Sequence, residues 1–152
     1  MNDGQNLRTL YKSQLGGDAY QLTRSPEAAP FWEGCRAKRL MLPQCGVCRR
    51  AHFYPRRFCP FCDSTDITWI QSSGTGTIYS FAIVRQPIEA AFASLVPYAI
   101  GIVELDEGVR LLSRIAGELD QVRCAKSVHV TFEEFSPALT VPVFALSSGS
   151  RG

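Results

Sequence analysis

The chain has 152 residues, of which 45% are hydrophobic and 20% charged, and a formal net charge of only +2. This is the composition of an ordinary soluble globular protein, with length for one domain or for a metal-clipped module beside a small core. No run approaches the roughly 18 apolar residues that a membrane span needs, which excludes an integral helical membrane protein.

Taken in chain order, Leu7, Leu10, Tyr11 and Leu15 recur at nearly helical spacing before the stop signal Gly16-Gly17. Met1-Asn2-Asp3-Gly4-Gln5 lacks the charged-then-apolar layout of a secretory signal, so the expected compartment is the cytoplasm. Residues 1–29 read as a helical extension. A second helix begins at Ser25-Pro26-Glu27 or at Pro30, since proline suits the first helical position, and ends around Lys38. Three short strands follow, Arg39–Pro43, Ala51–Tyr54 and Ile67–Ile70.

Around these strands stand two cysteine pairs, Cys45-Gly-Val-Cys48 and Cys59-Pro-Phe-Cys62, ten residues apart. Two thiolates on one tight turn face a single ion, and a second such knuckle completes a tetrahedral shell. Cys45, Cys48, Cys59 and Cys62 are therefore the expected ligands of a structural zinc, with a rubredoxin-like iron as the alternative. In a reducing compartment paired cysteines bind metal more often than they form disulfides. Residues 30–70 thus read as a helix plus zinc ribbon, a segment too small to bury much core. Metal binding, worth on the order of 10–16 kcal/mol, would supply most of its folding energy.

Gln71-Ser72-Ser73-Gly74-Thr75-Gly76 marks a boundary. Beyond it lie five apolar, β-branched stretches: Thr77–Arg85, Tyr98–Leu105, Val109–Ile115, Val128–Glu134 and Val141–Leu146. Asp106-Glu107-Gly108 reads as a hairpin turn whose acidic residues form a rim, and Ala116–Lys126 as a short helix or irregular crossover. Five strands with a longer connection after the third suit a small Greek-key barrel of the OB type over residues 71–146. The Gln86–Pro97 loop is apolar and alanine-rich, as loops that contact a ligand or another chain often are, and residues 147–152 read as a disordered tail.

A closed tetrathiolate site has no open position for catalysis, and no phosphate loop, carboxylate pair or Ser/His/Asp arrangement rises above chance. Cys35 and Cys124 are read as packing cysteines, and His52 as a packed or hydrogen-bonded ring rather than a ligand. Charge is unevenly placed. Between Glu33 and Asp63 there are seven basic residues and no acidic one; against the −2 of a zinc tetrathiolate this leaves about +5. The remainder carries nine basic and fourteen acidic residues. Aromatics Phe31, Trp32, Phe53, Tyr54, Phe58 and Phe61 interleave with the basic set, a mixture that suits nucleic acid or an adenine nucleotide such as coenzyme A.

Further marks spread along the chain: Phe31-Trp32-Glu33, Tyr54-Pro55-Arg56, Asp66-Ile67-Thr68-Trp69, Gly74-Thr75-Gly76-Thr77 with Tyr79-Ser80, Pro97-Tyr98, Val103–Gly108 and Pro142-Val143-Phe144. With the two knuckles, these resemble the acyl-CoA-associated family built from a rubredoxin-like zinc ribbon and an OB-fold, long catalogued as a domain of unknown function. Two departures stand out. The family's usual glycine is missing before the strand that leads into the first knuckle, within Ala37–Leu40, and Ala125 replaces the usual glycine before the fourth barrel strand.

The resemblance implies a mainly β chain with N-terminal helices, and a role that is not catalytic by itself. It implies an accessory subunit that bridges or completes a thiolase-like enzyme acting on acyl-CoA thioesters. Trp32, Arg36, Arg39, Arg56 and Arg57 are the candidates to face that partner or coenzyme A. The alternative is a nucleic-acid-binding ribbon/OB protein; the net acidic barrel half argues against it, because a groove that follows phosphates should be basic.

Overall fold

The computed structural model describes residues 25–87 and 93–148, so the expected helix around Leu7–Leu15 and the last four residues lie outside it. A 3-10 turn, Pro26–Ala28, leads directly into helix α1, Ala29–Arg36, so both candidate helix starts are used in succession. Pro30 falls in the first turn of α1, where a missing N–H costs nothing. Phe31 and Cys35, one helical turn apart, form its buried face.

The helix stops at Arg36 through a Schellman closure. Lys38 N–H donates to Cys35 O at 3.0 Å and Arg39 N–H to Gly34 O at 2.8 Å, with Lys38 at φ 60°. Because this cap consumes Lys38 and Arg39, strand β1 begins at Met41 and runs to Cys45, two residues later than the sequence suggests. Its antiparallel partner is β2, Ile67–Gln71, in the register Cys45↔Ile67 to Met41↔Gln71.

The expected strand Ala51–Tyr54 does not form. Only Ala51 bridges to Gln44, and His52 N–H reaches Pro43 O. Phe53 then turns out of the sheet to pack on Phe31, ring centroids 5.3 Å apart, and Pro55 has no N–H to extend a ladder.

The second half is a closed barrel of β3 (Thr75–Val84), β4 (Tyr98–Leu105), β5 (Arg110–Ala116), β6 (Ser127–Ser136) and β7 (Leu139–Leu146). Their spatial order is β3-β4-β5-β7-β6, closed by β3 on β6. All pairs are antiparallel except β5 with β7, which run parallel at Ile115↔Phe144. This is the five-stranded Greek-key barrel of the OB-fold. Alternation along β4 buries Ala99, Gly101, Val103 and Leu105 in its interior. A single 3-10 turn, Leu119–Gln121, occupies the crossover between β5 and β6.

The two halves share one interior. Phe31, Cys35, Leu40 and Leu42 belong to the same buried cluster as Ile78, Val103, Leu105, Leu111 and Phe144, and α1 packs on β7. The ribbon is thus folded by the barrel as well as by its metal. The junction is tied, too: Glu107 at the tip of the β4–β5 hairpin accepts from the Ser72 hydroxyl at 3.0 Å and the Ser73 N–H at 2.6 Å.

Candidate metal centre and ligand surfaces

Each cysteine pair is held by the same backbone device. Arg49 N–H donates to Cys45 O and Asp63 N–H to Cys59 O, while Cys45 N–H reaches Arg50 O and Cys59 N–H reaches Ser64 O. Arg49 and Asp63, each following the second cysteine of its knuckle, take φ 63° and 59°, which turns the chain back sharply. A Cβ at Gly46 would lie 2.1 Å from Asp66 Oδ2, so a side chain there would push the exposed Asp66 carboxylate aside.

All four Sγ atoms lie within 4.8 Å of one another, with Cys45–Cys62 and Cys48–Cys59 both at 3.6 Å. A tetrahedron with Zn–S bonds of about 2.3 Å has sulfurs about 3.8 Å apart, so the cluster fits the ion. Cys48 N–H points at Cys45 Sγ and Phe61 N–H at Cys59 Sγ, both at 3.4 Å, as expected around thiolates. The backbone N–H of Cys48 holds the Cys45 thiol down at about 6. At Cys62 the Ser64 N–H pulls downward, but burial and the neighbouring sulfurs push the thiol up to about 12. Four thiolates at this separation need a cation between them. The ion is a structural zinc, held by all four cysteines with no position left for substrate.

The remaining candidates separate. Cys35 is fully buried and burial raises its thiol to about 12, an inert packing group. Cys124, also read as a packing cysteine, is instead exposed on the crossover before β6. His52 is buried with neither ring nitrogen bonded, and burial, then the Arg56 charge, lowers its pKa. Trp32 and Arg36 line one cavity of about 250 Å³ together with Ser25, Pro26, Ala29 and Glu33. Arg57 pairs with Glu27 beside that cavity, Arg39 stands exposed beyond the α1 cap, and Arg56 faces the His52 side. The basic run is interrupted in space, since Glu27 takes Arg57 and Asp66 covers the first knuckle.

Two features escaped the sequence. One is the Glu107 clamp; the other is the outer face of the barrel, where Leu112 and Tyr79 are 68% and 51% exposed. Leu112 puts an apolar residue at an outward position of β5, next to the inward Leu111, and this break in the polar–apolar alternation is the local signal for that face.

Residues 32–68 match the family described as the ChsH2 rubredoxin-like zinc ribbon domain, and residues 69–133 the ChsH2 C-terminal OB-fold domain. The chain belongs to the ChsH2-type DUF35 family. A solved chain from the Ltp2-ChsH2(DUF35) aldolase superposes with a TM-score of 0.75 at 31% identity, covering 83% of this chain and 98% of that one.

Among relatives, a probable enoyl-CoA hydratase alpha subunit of Thermomonospora curvata is 34% identical over 116 residues, 75% of this chain and 36% of its own length. A DUF35 domain-containing scaffold protein of Pyrococcus furiosus is 32% identical over 91 residues, 59% of this chain and 65% of its length. The benzoylsuccinyl-CoA thiolase subunit BbsA of Geobacter metallireducens is 26% identical over 102 residues, 67% of this chain and 62% of its length. This chain therefore spans about a third of the hydratase subunit and about two thirds of the scaffold protein.

Proposed function

We propose that this ChsH2-type chain is a non-catalytic accessory subunit of a thiolase-like enzyme complex in the cytoplasm, one that makes or breaks a carbon–carbon bond beside a coenzyme A thioester. The observation that carries this reading is the match over nearly the whole of a chain that forms part of an aldolase assembly. The names of the relatives, hydratase alpha subunit, scaffold and thiolase subunit, point the same way. The metal centre agrees with it: zinc sealed by four thiolates organises the ribbon and offers no Lewis-acid position.

In this reading the catalytic residues lie on the partner, and this chain bridges subunits and borders the acyl-CoA channel. Trp32 and Arg36, which share the cavity beside α1, would meet the partner or the coenzyme, and Arg39, Arg56 and Arg57 would extend that surface. Co-expression with a thiolase-fold chain of the same organism tests the proposal. The expected result is a stable hetero-oligomer whose acyl-CoA activity needs both chains, with Arg36→Glu and Arg56→Glu weakening coenzyme titration or assembly. A partner fully active alone that fails to copurify would sink the proposal.

A further inference from the structure

The outer face of β3, β4 and β5 carries an apolar strip that the metal centre and the α1 cavity do not use. Register sets Ile102 directly opposite Leu112, with Ser80 on the other side, and the β3 irregularity between Ile78 and Ser80 places Tyr79 beside this row. Leu112 and Tyr79 are among the most exposed large apolar side chains described, and Ile100 and Ile102 are half-buried beside them. Alternate residues of the same strands, Ala99, Val103 and Leu111, already fill the barrel. The sheet is thus apolar on both faces where one suffices for folding.

Among the described residues, the charges that flank the strip, Glu104, Arg110 and Arg114, are each paired within the chain. Glu104 accepts from Arg110 at 2.6 Å, the Arg110 guanidinium lies 3.7 Å over the Tyr79 ring, and Arg114 pairs with Glu133. In barrels of this kind the face of the second and third strands is the one that carries oligonucleotides. Here those strands, β4 and β5, offer isoleucine, leucine and neutralised arginines. Among the described residues no unpaired cation flanks the strip to neutralise a phosphate, whether of nucleic acid or of coenzyme A. What such a face matches is an apolar, uncharged protein surface rimmed by polar groups.

We infer that the Tyr79–Ile102–Leu112 strip is the surface on which the catalytic subunit docks, through an uncharged apolar patch of its own. The inference rests on the accessory-subunit reading above and names the face that reading leaves open. It separates two roles on one chain, with protein contact on the barrel face and charged contact on the ribbon side.

The test uses the co-expressed pair. Leu112→Glu and Tyr79→Asp sit on exposed positions, so zinc content and the circular dichroism spectrum should match wild type. Affinity for the thiolase-fold chain, measured by calorimetry, should fall at least about tenfold. Gln121→Glu, on an exposed turn elsewhere, should leave it unchanged. If no wild-type complex forms, the accessory-subunit reading fails. If the wild-type complex forms and both face variants bind within about twofold of it, the docking face alone is overturned. A wild-type chain that is dimeric by itself and made monomeric by Leu112→Glu would assign the face to a second copy and overturn the proposal. So would salt-sensitive binding of single-stranded DNA that the same substitution abolishes.

Discussion

Among the described residues, Lys38, Arg49, Asp63 and Ala125 all hold φ between 59° and 64° without being glycine, a conformation costing about 1–2 kcal/mol for an L-residue. Lys38 closes the α1 cap, and Ala125 places its N–H 2.8 Å from Ile78 O so that the crossover rejoins β3. These are the two stretches where the family's usual glycine is absent, so the departures seen in the sequence mark strained backbone. Lys38→Gly and Ala125→Gly should each stabilise the fold by about 0.5–1 kcal/mol after the added chain entropy of glycine. That corresponds to a rise of about 1–4 °C in Tm by scanning calorimetry; a fall at either position would contradict the assignment.

His52 gives a pH dependence with a definite sign. Its folded pKa lies below the ordinary 6.5 because burial, and secondarily the Arg56 charge, disfavours the imidazolium. The unfolded chain therefore binds the proton first as pH falls, and stability is lost below about pH 6.5. Between about pH 7.5 and 5.5, His52→Phe should lose less Tm than wild type. Acid weakening of the zinc thiolates acts on both proteins and cancels in the comparison. Equal slopes would show that the imidazole titrates normally.

At the scale of elements, the polar clamp at the hairpin tip decides how ribbon and barrel are joined. Glu107→Ala leaves the Ser72 hydroxyl and the Ser73 N–H without their acceptor, at a cost of about 1–3 kcal/mol. Hydrogen exchange should show Ser73 and Gly74 losing protection while the β4 interior keeps its own. Uniform loss along β4 would mean that the hairpin itself had failed.

What the chain reveals in advance follows from the range of the interactions. Alternation makes β4 legible to the residue, and cysteine spacing makes the metal centre legible, because both are local patterns. The Ala51–Tyr54 segment misleads because its β-like composition serves a different end: Phe53 leaves the sheet to meet Phe31, twenty-two positions away. Glu107 reads as a solvated rim until the fold brings it to Ser72 and Ser73, a contact that no spacing encodes. Cys124 looks like any small apolar residue, and only its place on the crossover before β6 tells that it is exposed.

For the whole molecule, the shared interior implies shared stability. Phe31, Leu40 and Leu42 lie in one cluster with the barrel's Val103 and Phe144, so removal of zinc should be felt on both sides. Both tryptophans, Trp32 and Trp69, belong to the ribbon half, whereas five of the seven strands among the described residues belong to the barrel. Tryptophan fluorescence and far-ultraviolet circular dichroism therefore report the two halves separately. Their thermal transitions should coincide, and a strong chelator should lower both together. Two resolved transitions, with the dichroism unmoved by chelation, would mean that the barrel folds independently. Cys59→Ser should reproduce the chelated state and abolish stoichiometric zinc in elemental analysis.

Closure of the barrel has one more consequence. The closing seams are short: β3 meets β6 only at Thr75–Thr77, and β5 meets β7 only at Ile115 and Ala116, so the far part of β3 and the start of β5 each keep one edge without a ladder partner. A companion can then add backbone along those free stretches, and only on the fully paired walls is recognition read in side chains alone.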